Sequence, residues 1–376
     1  MAFNIGIDAR KLTDFGIGTY IRNLVQSLAA IDGDNRYILF SRPEHLDRLQ
    51  DLPDNFRVVA EPSPVYSVRE LVTLSWRLLR QRLDLYHSTH YVLPAVVPCR
   101  VVVSIHDIIH LLYPEFLPHA LAFFYANRMI RRSLSRGDRI IAGSQNTKAD
   151  LLRYFEVDEE KIDVVYYGVA NRFRQRVPEP ERRKTLDQLG VKSPYILFVG
   201  NPKPHKNLDN VVRAYAKALA LNSFDADLVC VGGEGPETVR VRQRALQLGV
   251  ADRIRFPGRV SDASLPAIYQ GAELFVYPTL YEGFGLPVVE AMASGVPVIT
   301  SDKSALKEVA EGYADLVNPV DIDQMANAIA HCMSDREHHA ALARLGTRRA
   351  ADFHWQRTAR QTLDIYRLML GESTDA

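Results

Sequence analysis

Two short apolar runs, Leu274–Tyr277 and Val296–Thr300, enclose the stretch Tyr281-Glu282-Gly283-Phe284-Gly285-Leu286-Pro287-Val288-Val289-Glu290. Runs of this length and composition, bounded by turn residues, read as strands. Pro287 reads as the first residue of a helix, where its missing N–H costs nothing. Gly295, with Pro297 soon after, reads as the helix stop. Strand, glycine loop, short helix and strand make one βαβ unit, which commits the chain to a parallel sheet with helices on its faces. The glycines allow positive φ and close approach to a ligand. The helix start aims free N–H groups and partial positive charge at whatever lies before it, which suits a phosphate. Glu282 precedes the loop and Glu290 lies about one turn into the helix. Two carboxylates beside a phosphate cradle suit sugar hydroxyls better than the phosphate itself.

The rest of the chain repeats the theme. Phe3–Asp8 reads as a strand, Asp14–Thr19 as a glycine loop, and Ile21, Leu24, Val25 and Leu28 as the apolar face of a helix. Gly16 and Gly18 read equally as backbone ligand contacts or as a tight turn. The third glycine of a dinucleotide fingerprint is missing, since position 21 is Ile21, and this counts against a nicotinamide dehydrogenase. Strands follow at Tyr37–Ser41, Phe56–Ala60, Leu85–His87, Val101–Ile105, Arg139–Gly143 and Ile162–Tyr166. His106 ends one of them, where such folds bind ligands. A second series opens with Tyr195–Val199, then Gly200 to Asn207 and helix Leu208–Leu221, with a further strand at Asp227–Val231. The charged, proline-bearing stretch Arg174–Arg183 reads as an interdomain linker. The expected division is residues 1–175, a linker over 176–190 and a second domain over 191–355, with helix 356–376 returning to the first domain.

A net charge of +1 gives no bulk electrostatic claim on nucleic acid, so no nucleic-acid partner is expected. The three cysteines, Cys99, Cys230 and Cys332, are scattered and fit a reduced setting. No apolar run approaches a membrane span, and no signal peptide precedes the first strand, so a cytoplasmic location is expected. Two arginine-rich amphipathic helices, around Val68–Arg82 and Leu121–Arg136, fit either packing on the sheet or peripheral contact with an anionic membrane at its inner face. Asp225/Asp227 and Asp321/Asp323 imitate an Asp-x-Asp metal motif but sit at element edges, where aspartate caps. No metal and no cofactor are expected.

Glu282, seven residues and Glu290, with Gly-Phe-Gly-Leu-Pro between, resembles the E-x7-E signature of retaining glycosyltransferases of family 4. The resemblance covers nearly the whole chain and is strongest from Tyr195 to Asp335. It implies an α/β chain of GT-B architecture: two Rossmann-like domains with parallel sheets facing across a cleft. It implies a nucleotide-diphosphate sugar as donor and a glycan or lipid-linked acceptor. The stretch from His110 to Glu115 resembles the branch that includes bacterial mannosyltransferases of surface-polysaccharide assembly, which makes mannose from GDP-mannose the expected donor. His106 matches the family histidine that lines the donor sugar. Lys206 matches the lysine at the leaving diphosphate, where a fixed ammonium stabilises developing charge. The family has arginine where this chain has Asn201, and Lys203 is the nearest replacement charge. Gly16, Gly18 and the amides of Gly283, Phe284, Gly285 and Leu286 are the implied diphosphate contacts, Glu290 the ribose contact and Glu282 the sugar contact. His106, Glu282 and Lys206 form the implied catalytic set. Another GT-B reaction, epimerase or phosphorylase, and a non-catalytic sugar-nucleotide binder remain alternatives.

Overall fold

The computed structural model describes residues 2–117, 120–221 and 224–371. It divides into two compact units: the chain up to Gly168 together with the chain from His354 on, and Val169–Phe353.

The first unit carries β1 (Asn4–Asp8), β2 (Arg36–Ser41), β3 (Phe56–Ala60), β4 (Leu85–Ser88), β5 (Arg100–Ile105), β6 (Arg139–Ala142) and β7 (Ile162–Val164). They pair in parallel in the order β3-β2-β1-β4-β5-β6-β7. A strand covered on both faces must be apolar on both, and Val101, Val102, Val103 and Ile105 of β5 are all buried. Leu74, Leu78, Ile130 and Leu134 share one core cluster with Phe40, Tyr86 and Val103, so helices Val68–Gln81 and Ala120–Arg136 cover the same face of the sheet. Helix Trp355–Leu370 packs against helix Phe15–Ile31 in this unit. Its Tyr366 hydroxyl meets His87 Nδ1 at 2.6 Å.

The second unit carries β8 (Tyr195–Val199), β9 (Asp227–Val231), β10 (Ile254–Gly258), β11 (Leu274–Tyr277), β12 (Val298–Ser301) and β13 (Asp315–Val317), all parallel, in the order β10-β9-β8-β11-β12-β13. In both units the strand order reverses at one place: between β1 and β4, and between β8 and β11. Doubly wound sheets bind ligands beyond the carboxyl ends of the strands at that reversal.

Three expectations are corrected. The stretch over 176–190 is not a linker: Glu179–Gln188 is a helix of the second unit, and its Arg182 guanidinium reaches the Gln270 carbonyl at 3.5 Å. Pro178 caps that helix and Pro180 lies in its first turn, where proline is tolerated. The first unit accordingly ends at Gly168 rather than at 175. Finally, Gly16 and Gly18 lie inside the first turn of helix Phe15–Ile31 instead of in a loop before it.

Candidate functional site

At the reversal in the second unit, the loop after β8 and the loop after β11 bring an ammonium and a carboxylate together. Lys206 Nζ donates to Glu282 Oε1 at 2.5 Å, and the Tyr277 hydroxyl donates to the same oxygen at 2.8 Å. Both charged side chains are mostly shielded, at 16% and 14% exposure. Lys206 Nζ also stands 5.7 Å from the Tyr277 ring centre, on a ring whose hydroxyl burial and the Glu282 charge keep protonated. Asn207, next to Lys206, adopts a left-handed conformation (φ 64°). Its side-chain amide donates to the Pro278 carbonyl at 2.9 Å and the Pro319 carbonyl at 2.6 Å. Ser304 is left-handed too (φ 51°), and its Oγ accepts the Glu282 N–H at 3.0 Å. Non-glycine residues in that region cost energy and persist only where their surroundings hold them. Here they fix the backbone on which each charged side chain stands.

Gly285 caps helix Leu286–Ala293 at φ 99°. A Cβ there would lie 2.3 Å from Leu306 Cδ2 and force that side chain to shift, but it is the positive φ that demands glycine. The helix starts at Leu286, one residue before the expected Pro287. The amides of Gly285 and Leu286 stand where helix geometry supplies no acceptor. Val288 N–H is already bonded to the Gly285 carbonyl at 2.9 Å. Phe284 is buried edge-on against Phe353 at 5.6 Å, so its side chain belongs to the core of this unit. Glu290 projects from the second turn, where Tyr269 O–H donates to Oε2 at 3.1 Å. Burial pushes its carboxyl up to about 7, against the lowering effect of Tyr269 and Arg172. A shallow depression opens at the carboxyl ends of β8, β9 and β10, lined by Gly200, Pro202, Gly232, Gly233, Thr238 and Gly258. Lys203 is exposed at the start of the short turn Pro204–Lys206.

In the first unit His106 follows β5, beside the reversal between β1 and β4. Its Nε2 lies 2.8 Å from the Thr89 carbonyl and its Nδ1 2.6 Å from the Tyr167 hydroxyl. A carbonyl only accepts, so Nε2 carries the proton and Nδ1 accepts from Tyr167. Burial lowers the affinity of the ring for a second proton. Both ring nitrogens are thus engaged within the unit. Gly18 serves packing: its N–H is bonded to the Asp14 carbonyl, and a Cβ would meet the Leu12 carbonyl oxygen at 2.4 Å. Gly16 is exposed, with nothing within 4 Å of a Cβ.

Several partners were not singled out in the sequence. Tyr277, Tyr269 and Ser304 hold the two glutamates, and Tyr167 and Thr89 hold His106. Tyr277 was within reach, being the last residue of a strand that ends at the site. Buried Arg10 grips Asp8 through two bonds, at 2.9 and 2.6 Å, and Glu70 at 3.0 Å. Burial pushes the Asp8 carboxyl up, but Arg10 outweighs it and holds the group below its ordinary value. Among the described residues no three His, Cys, Asp or Glu side chains cluster as for a metal. Asp225 and Asp227 pair with Arg253, and Asp321 caps helix Ile322–Ser334.

Residues 181–349 match the family model described as glycosyl transferases group 1, and residues 16–171 match that of glycosyltransferase family 4. The chain belongs to the family 4 glycosyltransferases. It is 27% identical over 372 residues to the O-antigen chain mannosyltransferase B of Escherichia coli, covering 94% of this chain and 96% of that one. It is 30% identical over 242 residues to the O-antigen chain mannosyltransferase RfbU of Salmonella typhimurium, covering 64% of this chain and 63% of that relative. Among solved structures, Anabaena HepE in complex with UDP and glucose matches 97% of this chain and all of that one, with a TM-score of 0.78 at 19% identity. The fold is therefore GT-B, and the enzyme is a nucleotide-sugar-dependent glycosyltransferase.

Proposed function

We propose that this enzyme transfers mannose from GDP-mannose to a glycan or lipid-linked acceptor of a bacterial surface polysaccharide, with retention of configuration and without a metal. The observation that carries the donor site is the placement of Lys206 and Glu282, 2.5 Å apart, at the strand-order reversal of the second unit, with Glu282 on the same loop as the Gly285 helix tip. The two O-antigen mannosyltransferase relatives support the sugar and the acceptor class. The UDP held by HepE supports a nucleoside diphosphate as the leaving group.

On this reading Lys206 and the amides of Gly285 and Leu286 take the diphosphate, with Lys203, Gly16, Gly18, Gly283 and Phe284 as further candidate contacts. Glu290 takes ribose hydroxyls, and the depression edged by Gly232 and Gly233 takes the base. Glu282 accepts from hydroxyls of the donor sugar, and His106 acts as a neutral ring held by Tyr167. The bond from C1 to the β-phosphate oxygen breaks while the acceptor oxygen bonds C1 on the same face. The acceptor proton passes to the departing phosphate, so no side chain serves as nucleophile. The main catalytic effect is electrostatic hold on the leaving group.

The test is a thermal-shift panel of GDP, UDP, GDP-mannose and UDP-hexoses, followed by transfer to an acceptor and stereochemical assignment of the product. A ligand at ~100 times its Kd stabilises by ~2.7 kcal/mol. GDP-mannose is expected to stabilise most and to yield an α-mannoside. Stabilisation by UDP and not GDP overturns the donor. An isomerised sugar without acceptor, or a need for orthophosphate, overturns the reaction.

A further inference from the structure

Helices Val68–Gln81 and Ala120–Arg136 cover one face of the first sheet, and each carries apolar side chains on its outer side. On the first, Val72 (62% exposed), Trp76 (50%) and Leu79 (54%) follow at four and three residues, one stripe of a helix. On the second, Leu121 (75%) and Phe124 (65%) begin a stripe that continues through Arg128 and Arg131. The loop that carries exposed Val96 joins the two: Val96 N–H bonds Ser75 Oγ at 2.9 Å, and Arg132 reaches the Pro94 and Ala95 carbonyls at 2.8 and 2.7 Å.

The charge exposed on these two helices has one sign, although Arg77 is neutralised by buried Glu61 at 2.6 Å. Residues 68–82 contain Arg69, Arg77, Arg80 and Arg82, and residues 120–136 contain Arg128, Arg131, Arg132 and Arg136. The only acid in either span, Glu70, is buried on Arg10 and caps its own helix through Ser67. Arg80 lies flat over the Trp76 ring at 3.6 Å, keeping its charge beside the apolar stripe. A protein with net charge of only +1 has therefore gathered cations around its exposed tryptophan, leucines and phenylalanine. Water-facing sheet cover needs the arginines but not the apolar groups. A protein partner matched to this face needs no such uniform charge.

We infer that this face docks the enzyme on an anionic lipid surface, with the apolar stripes in the headgroup boundary and the arginines on lipid phosphates. Both helices follow strands of a parallel sheet, so their first turns lie at its carboxyl-end edge. Leu121, Phe124 and Val72 are therefore on the edge of the unit where His106 stands. The buried Asp8–Arg10–Glu70 cluster ties the first helix to β1, giving the surface a rigid base. This inference does not depend on which sugar is transferred.

The full chain is mixed with vesicles of phosphatidylcholine, with and without phosphatidylglycerol. Cosedimentation is expected only with the anionic vesicles, and salt should release it. The protein has two tryptophans, and Trp355 is buried, so a blue shift of emission on binding reports Trp76. Trp76→Ser with Phe124→Ser should abolish binding, and Arg128→Gln and Arg131→Gln should each weaken it about fivefold (about 1 kcal/mol). Transfer to a short water-soluble acceptor should be unchanged in these variants, which separates this inference from the assigned reaction. Binding to neither vesicle, or undiminished binding by the serine variant, overturns it. A dimer that Trp76→Ser turns into a monomer assigns the face to a second copy and overturns it equally.

Discussion

Lys206 Nζ and Glu282 Oε1 stand 2.5 Å apart although 76 residues separate them in the chain, and each backbone is pinned by a neighbour in the left-handed region. An ammonium paired in this way is largely shielded from water and held in place, and preorganisation of charge is what an electrostatic mechanism needs. Breaking one side leaves the other charge uncompensated.

The first prediction follows from that pairing. Lys206→Ala and Glu282→Ala should each lower kcat/KM at least tenfold, which is ~1.4 kcal/mol of transition-state stabilisation. The double variant should lose less than the product of the two, because the residues act as a unit. Circular dichroism should show the fold intact. Wild-type turnover in either single variant removes the pair from the mechanism.

Glu290 gives the second. Its folded pKa, about 7, is raised above its ordinary 4.5 by burial. The folded protein then binds the proton more tightly than the unfolded chain. The protonated carboxyl contributes stability fully below pH 4.5, and that contribution is lost as pH rises to about 7. Glu290→Gln imitates the protonated form, so it should flatten the fall of Tm over this window and should match or exceed the wild type at pH 8. Parallel pH profiles for the two proteins would show that Glu290 is not the group responsible.

How far the sequence carried depended on the range of the interactions. The strands of both sheets were readable because parallel strands are apolar on both faces, as in Val101–Ile105. Two edge strands were not: Ile254–Gly258 contains Pro257, which argues against a strand except at an edge, and Asp315–Val317 is three residues long. Helix Glu179–Gln188 was hidden by prolines that read as breaks and in fact start it. The family 4 resemblance, carried by the Glu282–Glu290 spacing and the lysine after Gly200, marked Lys206 and Glu282. It did not show that Tyr277 joins them, that Tyr167 occupies His106, or that Leu12 leaves no room beside Gly18, because each depends on contact between distant segments.

Gly285 gives the third prediction. Gly285→Ala meets two obstacles: the left-handed φ of 99° and the 2.3 Å approach to Leu306 Cδ2. Leu306→Ala removes the second and leaves the first. The single variant should lose stability and donor affinity, and the double variant should regain little, because the strain of ~1–2 kcal/mol per residue is in the backbone. Full recovery of donor affinity in the double variant would show that packing alone selects the glycine. Isothermal titration with the nucleotide reads the difference.

The fourth concerns metal. On the proposed mechanism Lys206 and helix amides hold the leaving group, so chelation by EDTA should leave turnover unchanged. Activity lost in EDTA and restored by Mg²⁺ or Mn²⁺ would give the charge neutralisation to a cation instead.

The last separates two glycines that look alike in sequence. Gly18→Ala puts a Cβ 2.4 Å from the Leu12 carbonyl oxygen, a backbone atom that cannot step aside. It should cost stability outright and show it as a lowered Tm. Gly16→Ala meets nothing within 4 Å in the first turn of the same helix, where alanine is favoured over glycine by up to ~1 kcal/mol. Its Tm should hold or rise. A fall in donor affinity in Gly16→Ala at undiminished Tm would mark that exposed turn as a ligand contact, since folding could not account for it. Unchanged affinity would take Gly16 out of the donor site and leave the diphosphate to the second unit's Lys206 and helix tip.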